Sequence, residues 1–151
     1  MTGVDTLIAM EEIRALKARY CRYLDTKQWD EWGGLFAEDA TLDVSAETLE
    51  AGDLATDAVV RGRAAIVAQV RDAVGPAITA HHVHNPELEI LGPDEARAVW
   101  AMEDFLRFPD DPSAPFSRMN GFGHYHETYR RGSGGWVIVS VKLTRLHREF
   151  S

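Results

Sequence analysis

Beyond residue 77 the chain settles into a period of two, and that limits the folds open to it. From Arg97 to Phe108, Ala98, Trp100, Met102, Leu106 and Phe108 all point the same way, as on a strand with one dry face. Met119 to Arg130 and Trp136 to Leu146 are two more segments of strand length. Gly92-Pro93-Asp94 and Gly132-Ser133-Gly134-Gly135 are turn sequences between them, so antiparallel hairpins are expected. The segment ahead of the first turn, Ile78 to Ile90, alternates from Glu87 to Ile90 and holds His81, His82 and His84, three of the six histidines. It predicts a strand carrying an imidazole cluster into a core. A histidine titrates near neutral pH and can serve there as acid or base, or it can simply decorate the strand.

The first half reads as helices. Asp5 or Thr6 is a candidate cap, and Ile13, Leu16, Tyr20, Tyr23 and Leu24 form an apolar stripe at three- and four-residue steps. The stripe ends near Asp25-Thr26-Lys27. A second short helix is expected with Trp29, Trp32 and Phe36 on one side, and Gly33-Gly34 marks a bend. Ala40 to Val44 could be a strand, and Glu47 to Asp57 an acidic loop. A third helix is expected over Ala64 to Val74, stopped by Gly75-Pro76. Helices first and long antiparallel strands after is an α+β arrangement, and 151 residues fit one domain spanning the chain.

A net charge of -8 argues against a nucleic acid or an anionic membrane as partner, because neither attracts an acidic surface. No apolar run approaches membrane-spanning length, and the opening Met-Thr-Gly-Val-Asp lacks a signal-peptide pattern, so a cytoplasmic protein is expected. The single cysteine, Cys21, excludes an internal disulfide and a thiolate metal cluster.

The informative residues are polar ones in step with apolar ones. Asp104 shares parity with Trp100, Met102, Leu106 and Phe108, so a carboxylate should project from the dry face, where it needs a partner or a raised pKa. Arg145 shares parity with Val137, Val139, Val141 and Leu143. The two could pair, either as a buried ion pair that serves the fold or as part of a site. Tyr20 lies on the helical stripe as a core tyrosine or a functional one, and Asp25 alone reads as a turn carboxylate. His124 and His126 alternate on one strand face, with Tyr125 and Tyr129 on the other. Two histidines so placed can hold a metal, but no third ligand is evident and no metal is expected.

Arg19-Tyr20-Cys21-Arg22-Tyr23-Leu24-Asp25, Trp29-Asp30, Phe36-Ala37-Glu38-Asp39-Ala40 and the closing Gly-Gly-Trp before an alternating strand resemble SnoaL-like proteins of the nuclear transport factor 2-like superfamily. The resemblance covers nearly the whole chain. It implies a cone-shaped, strongly curved sheet, mixed or antiparallel, wrapped around the N-terminal helices with a pocket between. Within the superfamily the chain is similar to dehydratases of the bile acid 7-alpha-dehydratase and scytalone dehydratase type. That likeness implies catalytic roles for Tyr20, Asp25, His81, Asp104 and Arg145, with His81 as base and Asp25 as its partner. An aspartate-histidine pair in the same places is also the working pair of the hexachlorocyclohexane dehydrochlorinase of this superfamily. The stretches from Ala46 to Asp57 and from Pro109 to Ser117 depart from the dehydratase pattern, and both are expected at the pocket mouth.

The reading is therefore a cofactor-independent lyase acting by β-elimination on a small hydrophobic cyclic molecule, with Trp100, Met102, Leu106, Phe108 and Val141 as pocket walls. The alternatives are an isomerase or cyclase using Asp104 or Asp25, a binding protein without chemistry, and an assembly domain. The family also implies a homodimer or homotrimer packed through the open sheet face, with Phe105, Phe122 and Tyr125 or Tyr129 as candidates to supply it.

Overall fold

A computed structural model of the chain describes residues 1–45 and 58–151. The sequence-based expectations for residues 46–57, an acidic loop at the pocket mouth, lie outside the described residues. Helix α1 spans Gly3–Asp25. It starts earlier than its apolar stripe suggests, because Thr2 is the cap: its hydroxyl accepts from the Asp5 backbone N–H, and the Asp5 carboxylate accepts from the Thr2 backbone N–H. A short α2 follows (Trp29–Gly33), then β1 (Phe36–Asp43), so Phe36 opens a strand and does not extend the helix. After β2 (Val59–Arg61) come α3 (Arg63–Val74), β3 (Ile78–Ile90), β4 (Glu95–Arg107), β5 (Arg118–Gly132) and β6 (Gly135–Phe150).

The six strands form one curved, unclosed sheet in the order β2-β1-β6-β5-β4-β3. Every neighbouring pair is antiparallel except β1 with β6, which is parallel. The two predicted hairpins, β3–β4 and β5–β6, are both present. Helix α1 packs its buried face of Ala9, Ile13, Leu16, Tyr20 and Leu24 onto the sheet, with Trp32 and Phe36 against Tyr20.

Bulges break the parity that a strict period of two would impose. On β3, His84 pairs with Ala101 and Glu87 with Val99, so Asn85 and Pro86 stand opposite Trp100 alone. Asn85 absorbs this at φ 46, a left-handed conformation that asparagine tolerates. The bulge puts Thr79 and His81 on the same side as Leu88 and Ile90, so they are buried, whereas His82 and His84 are exposed. The expected cluster of three imidazoles in the core is corrected to one.

On β6 the pairing skips Val139 and then Leu146. Trp136 and Ile138 are buried, the inward phase then moves to Val141, Leu143 and Arg145, and after Leu146 it moves again to Arg148 and Phe150. The parity assigned to Arg145 holds back to Val141 only. Val137 and Val139 face the other side. On β5, Tyr125 and Tyr129 are buried with Glu127, so they cannot supply an outward face. Phe105 and Phe122 are exposed on it.

Candidate active site

Asp25 ends α1, and its carboxylate reaches β3, 56 residues away in sequence. One oxygen, Oδ1, lies 2.6 Å from His81 Nδ1 and accepts from the Thr79 hydroxyl at 2.9 Å. The other, Oδ2, accepts from the His81 backbone N–H at 2.9 Å. An ionised carboxylate only accepts, so Nδ1 carries the proton and the ring's far nitrogen, Nε2, is left as the acid–base atom. Partial burial would raise the Asp25 pKa. The hydrogen bonds from the His81 ring and backbone, the charge of His81 and the Thr79 hydroxyl outweigh it, and the carboxyl is held below the usual range.

Asp104 and Arg145 form a two-pronged ion pair, Nη1 to Oδ1 at 2.7 Å and Nη2 to Oδ2 at 2.9 Å. Both side chains are almost fully buried. Asp104 is directly opposite His81 in the β3–β4 register. The guanidinium lies close over Gly121, where a Cβ would come within 2.6 Å of Arg145 Nη1 and 3.1 Å of Asp104 Oδ1. Only glycine leaves that space.

A cavity of about 330 Å³ brings these groups together. Tyr20, His81, Asp104, Tyr125 and Arg145 give it polar walls. Leu24, Leu42, Val70, Val74, Leu106, Phe108, Met119 and Leu143 are among its apolar ones, with Phe116 and Phe150. Asp25 stands behind His81. All five polar residues singled out from the sequence thus lie in or directly behind one cavity. Of the expected walls, Leu106 and Phe108 line it. Trp100, Met102 and Val141 do not, because they are packed in the core behind, where the Trp100 indole N–H donates to the Tyr129 hydroxyl at 2.9 Å.

Sequence reasoning missed the layer beneath Tyr20. Lys17 is fully buried and pairs with the equally buried Glu127 of β5, which also accepts from the Tyr129 hydroxyl. The Lys17 ammonium sits 3.6 Å from the centre of the Tyr20 ring and 3.9 Å from that of Tyr125. The signal was present: Glu127 shares parity with Tyr125 and Tyr129, and Lys17 lies four residues after Ile13 and three before Tyr20. Burial, and next the charge of Glu127, push the Tyr20 hydroxyl well above its ordinary pKa, so it remains a neutral donor. Burial also pushes the Cys21 thiol up to about 11, which leaves it unreactive at neutral pH. Among the described residues no group of three or more His, Cys, Asp or Glu is placed to hold a metal ion, and no helix is long and apolar enough to cross a membrane.

The SnoaL-like domain profile matches residues 5–142. The chain belongs to the SnoaL-like family. "Probable cyclase FGR4" of Gibberella zeae is 26% identical over 138 residues, covering 89% of each chain. Among solved structures, a scytalone dehydratase-like protein from Novosphingobium aromaticivorans superposes with a TM-score of 0.82 at 19% identity, covering 99% of this chain and 92% of that one. The hexachlorocyclohexane dehydrochlorinase LinA-type3 of Novosphingobium barchaimii gives 0.79 at 15%, covering 99% and 94%. At these identities the structural likenesses establish the SnoaL-like, nuclear transport factor 2-like fold.

Proposed function

We propose that the protein is a cofactor-independent lyase that removes a proton from carbon and expels a neighbouring group from a small hydrophobic cyclic substrate. The observation that carries this reading is the 2.6 Å contact between Asp25 Oδ1 and His81 Nδ1 at the wall of a mostly apolar cavity. His81 Nε2 takes the proton from a carbon next to a carbonyl, and the C–H electrons become an enolate. Asp25 holds the ring tautomer and balances the imidazolium charge. Tyr20, a neutral phenol at working pH, donates to the enolate oxygen, a contact worth roughly 3–4 kcal/mol in the transition state. The enolate then reforms the carbonyl, the new C=C bond forms, and the hydroxyl on the next carbon departs with the imidazolium proton as water. Arg145, held by Asp104, orients the substrate at the same wall. We assign the open sheet face with Phe105 and Phe122 to a homodimer or homotrimer contact.

The test is a panel of hydroxylated cyclic ketones, steroid and polyketide in type, followed by product mass. On an accepted substrate the wild type releases water, and His81→Ala and Asp25→Asn each lower kcat by about 10²–10⁴. Full activity in both variants removes the pair from the chemistry. The curated relative named as a cyclase supports a second reading, in which the same base makes an enolate that attacks within the substrate. A product of unchanged mass with a new ring selects that reading. Saturable binding with no product selects a carrier.

A further inference from the structure

Asp25 has a second support that runs away from the cavity. The Thr79 hydroxyl donates to Asp25 Oδ1 at 2.9 Å, and the Lys27 ammonium donates to Thr79 Oγ1 at 3.0 Å. A threonine hydroxyl has one proton, so accepting from Lys27 commits that proton to Asp25. Lys27 is an unusual residue for its place. It follows the end of α1 at φ 61, in the left-handed region that glycine or asparagine normally occupies, and its side chain is partly buried. Burial lowers the Lys27 pKa, and the Asp25 charge opposes that effect. A left-handed backbone and a partly desolvated ammonium single out this position.

We propose that Lys27 and Thr79 are positioning residues for the Asp25–His81 pair, forming a relay Lys27–Thr79–Asp25–His81 that fixes the carboxylate rotamer and sets how strongly it holds the imidazolium. The proposal rests on the acid–base reading of His81. Both oxygens of Asp25 are already bound, Oδ1 by Thr79 and the His81 ring and Oδ2 by the His81 backbone, so the carboxylate has one orientation. The other titratable or charged groups facing the pair are Tyr20 and Cys21 from α1, Asp104 from β4, Tyr125 from β5, and Arg145 and Arg148 from β6. Asp104 and Arg145 are tied to each other, and Lys27 is a cation whose hydrogen bond leads through Thr79 to Asp25.

The experiment titrates the Asp25 side-chain carboxyl by carbon NMR in the wild type, Thr79→Val, Thr79→Ser and Lys27→Met. This readout needs no substrate and stays decisive even if the elimination reading fails. The midpoint is expected to move to higher pH in Thr79→Val and Lys27→Met and to stay near the wild type in Thr79→Ser. With a substrate in hand, kcat should fall about ten- to hundredfold in Thr79→Val with KM within about twofold, and Thr79→Ser should recover it. Unchanged Asp25 titration in both folded variants overturns the relay. So does equal loss of kcat in Thr79→Val and Thr79→Ser. If Thr79→Val does not fold, the outer end of the relay decides alone: Lys27→Met either raises the Asp25 midpoint or refutes the proposal.

Discussion

Asp25 is not a turn carboxylate in the ordinary sense. Three donors converge on it from β3, and they hold its pKa down despite its burial. A carboxyl depressed in the folded state binds protons less readily than in the unfolded chain, whose value is about 3.9. Its contribution to stability is therefore fully present above that value and is lost as pH falls through the lower, folded one. Urea midpoints measured from pH 5 down to pH 2 should fall more steeply for the wild type than for Asp25→Asn. A parallel fall would show that His81 and Thr79 do not stabilise the charge. Tyr20 and Asp25 lie five residues apart in one helix, but neither reveals its surroundings locally. Tyr20 stands out on the helical stripe and Asp25 as a turn carboxylate, but only the resemblance to a family implies a catalytic role for either. Asp104 announced itself through its neighbours on one strand.

At the level of elements, α1 is joined to the sheet by charge as well as by apolar packing. Lys17 on α1 and Glu127 on β5 are 110 residues apart and fully buried. Removing one partner leaves the other uncompensated, so Lys17→Met should destabilise by about 3–5 kcal/mol in urea unfolding, and Lys17→Met with Glu127→Gln should recover most of that. Strict additivity of the two single losses would show that the residues do not interact. The strands show where pattern reading works and where it stops. Parity along β4 places Asp104 correctly because β4 pairs with β5 without a register shift, and the shift against β3 is taken up by an extra residue on β3. Parity along β6 fails before Val141, and parity along β3 changes at Asn85 and Pro86, because each bulge inserts one unpaired residue and reverses the faces. Alternation puts His81 and His84 on opposite faces, and the bulge after His84 is what aligns His81, rather than His84, with the inward side of Leu88 and Ile90.

On the scale of the molecule, the curved sheet and α3 leave a space that neither could enclose singly. Its walls come from α1, β1, α3, β3, β4, β5 and β6. Filling it should abolish ligand uptake without harming the fold. Leu106→Trp, on the apolar wall, is expected to weaken binding of a fluorescent hydrophobic probe by about tenfold or more while Tm changes little. Undiminished probe binding would place the probe elsewhere on the surface.

By itself the sequence determined the order of the helices and the long strands, the hairpins, the α+β class and the inward face of β4. These depend on spacing within a segment and on turn residues, which act over a few positions. The cavity, the meeting of Asp25 with His81, the Lys17–Glu127 pair and the burial of one histidine out of three depended on tertiary structure. Each needs strands and a helix far apart in the chain to pair in a particular register, and a single bulged residue is enough to exchange the face that meets the core for the face that meets water.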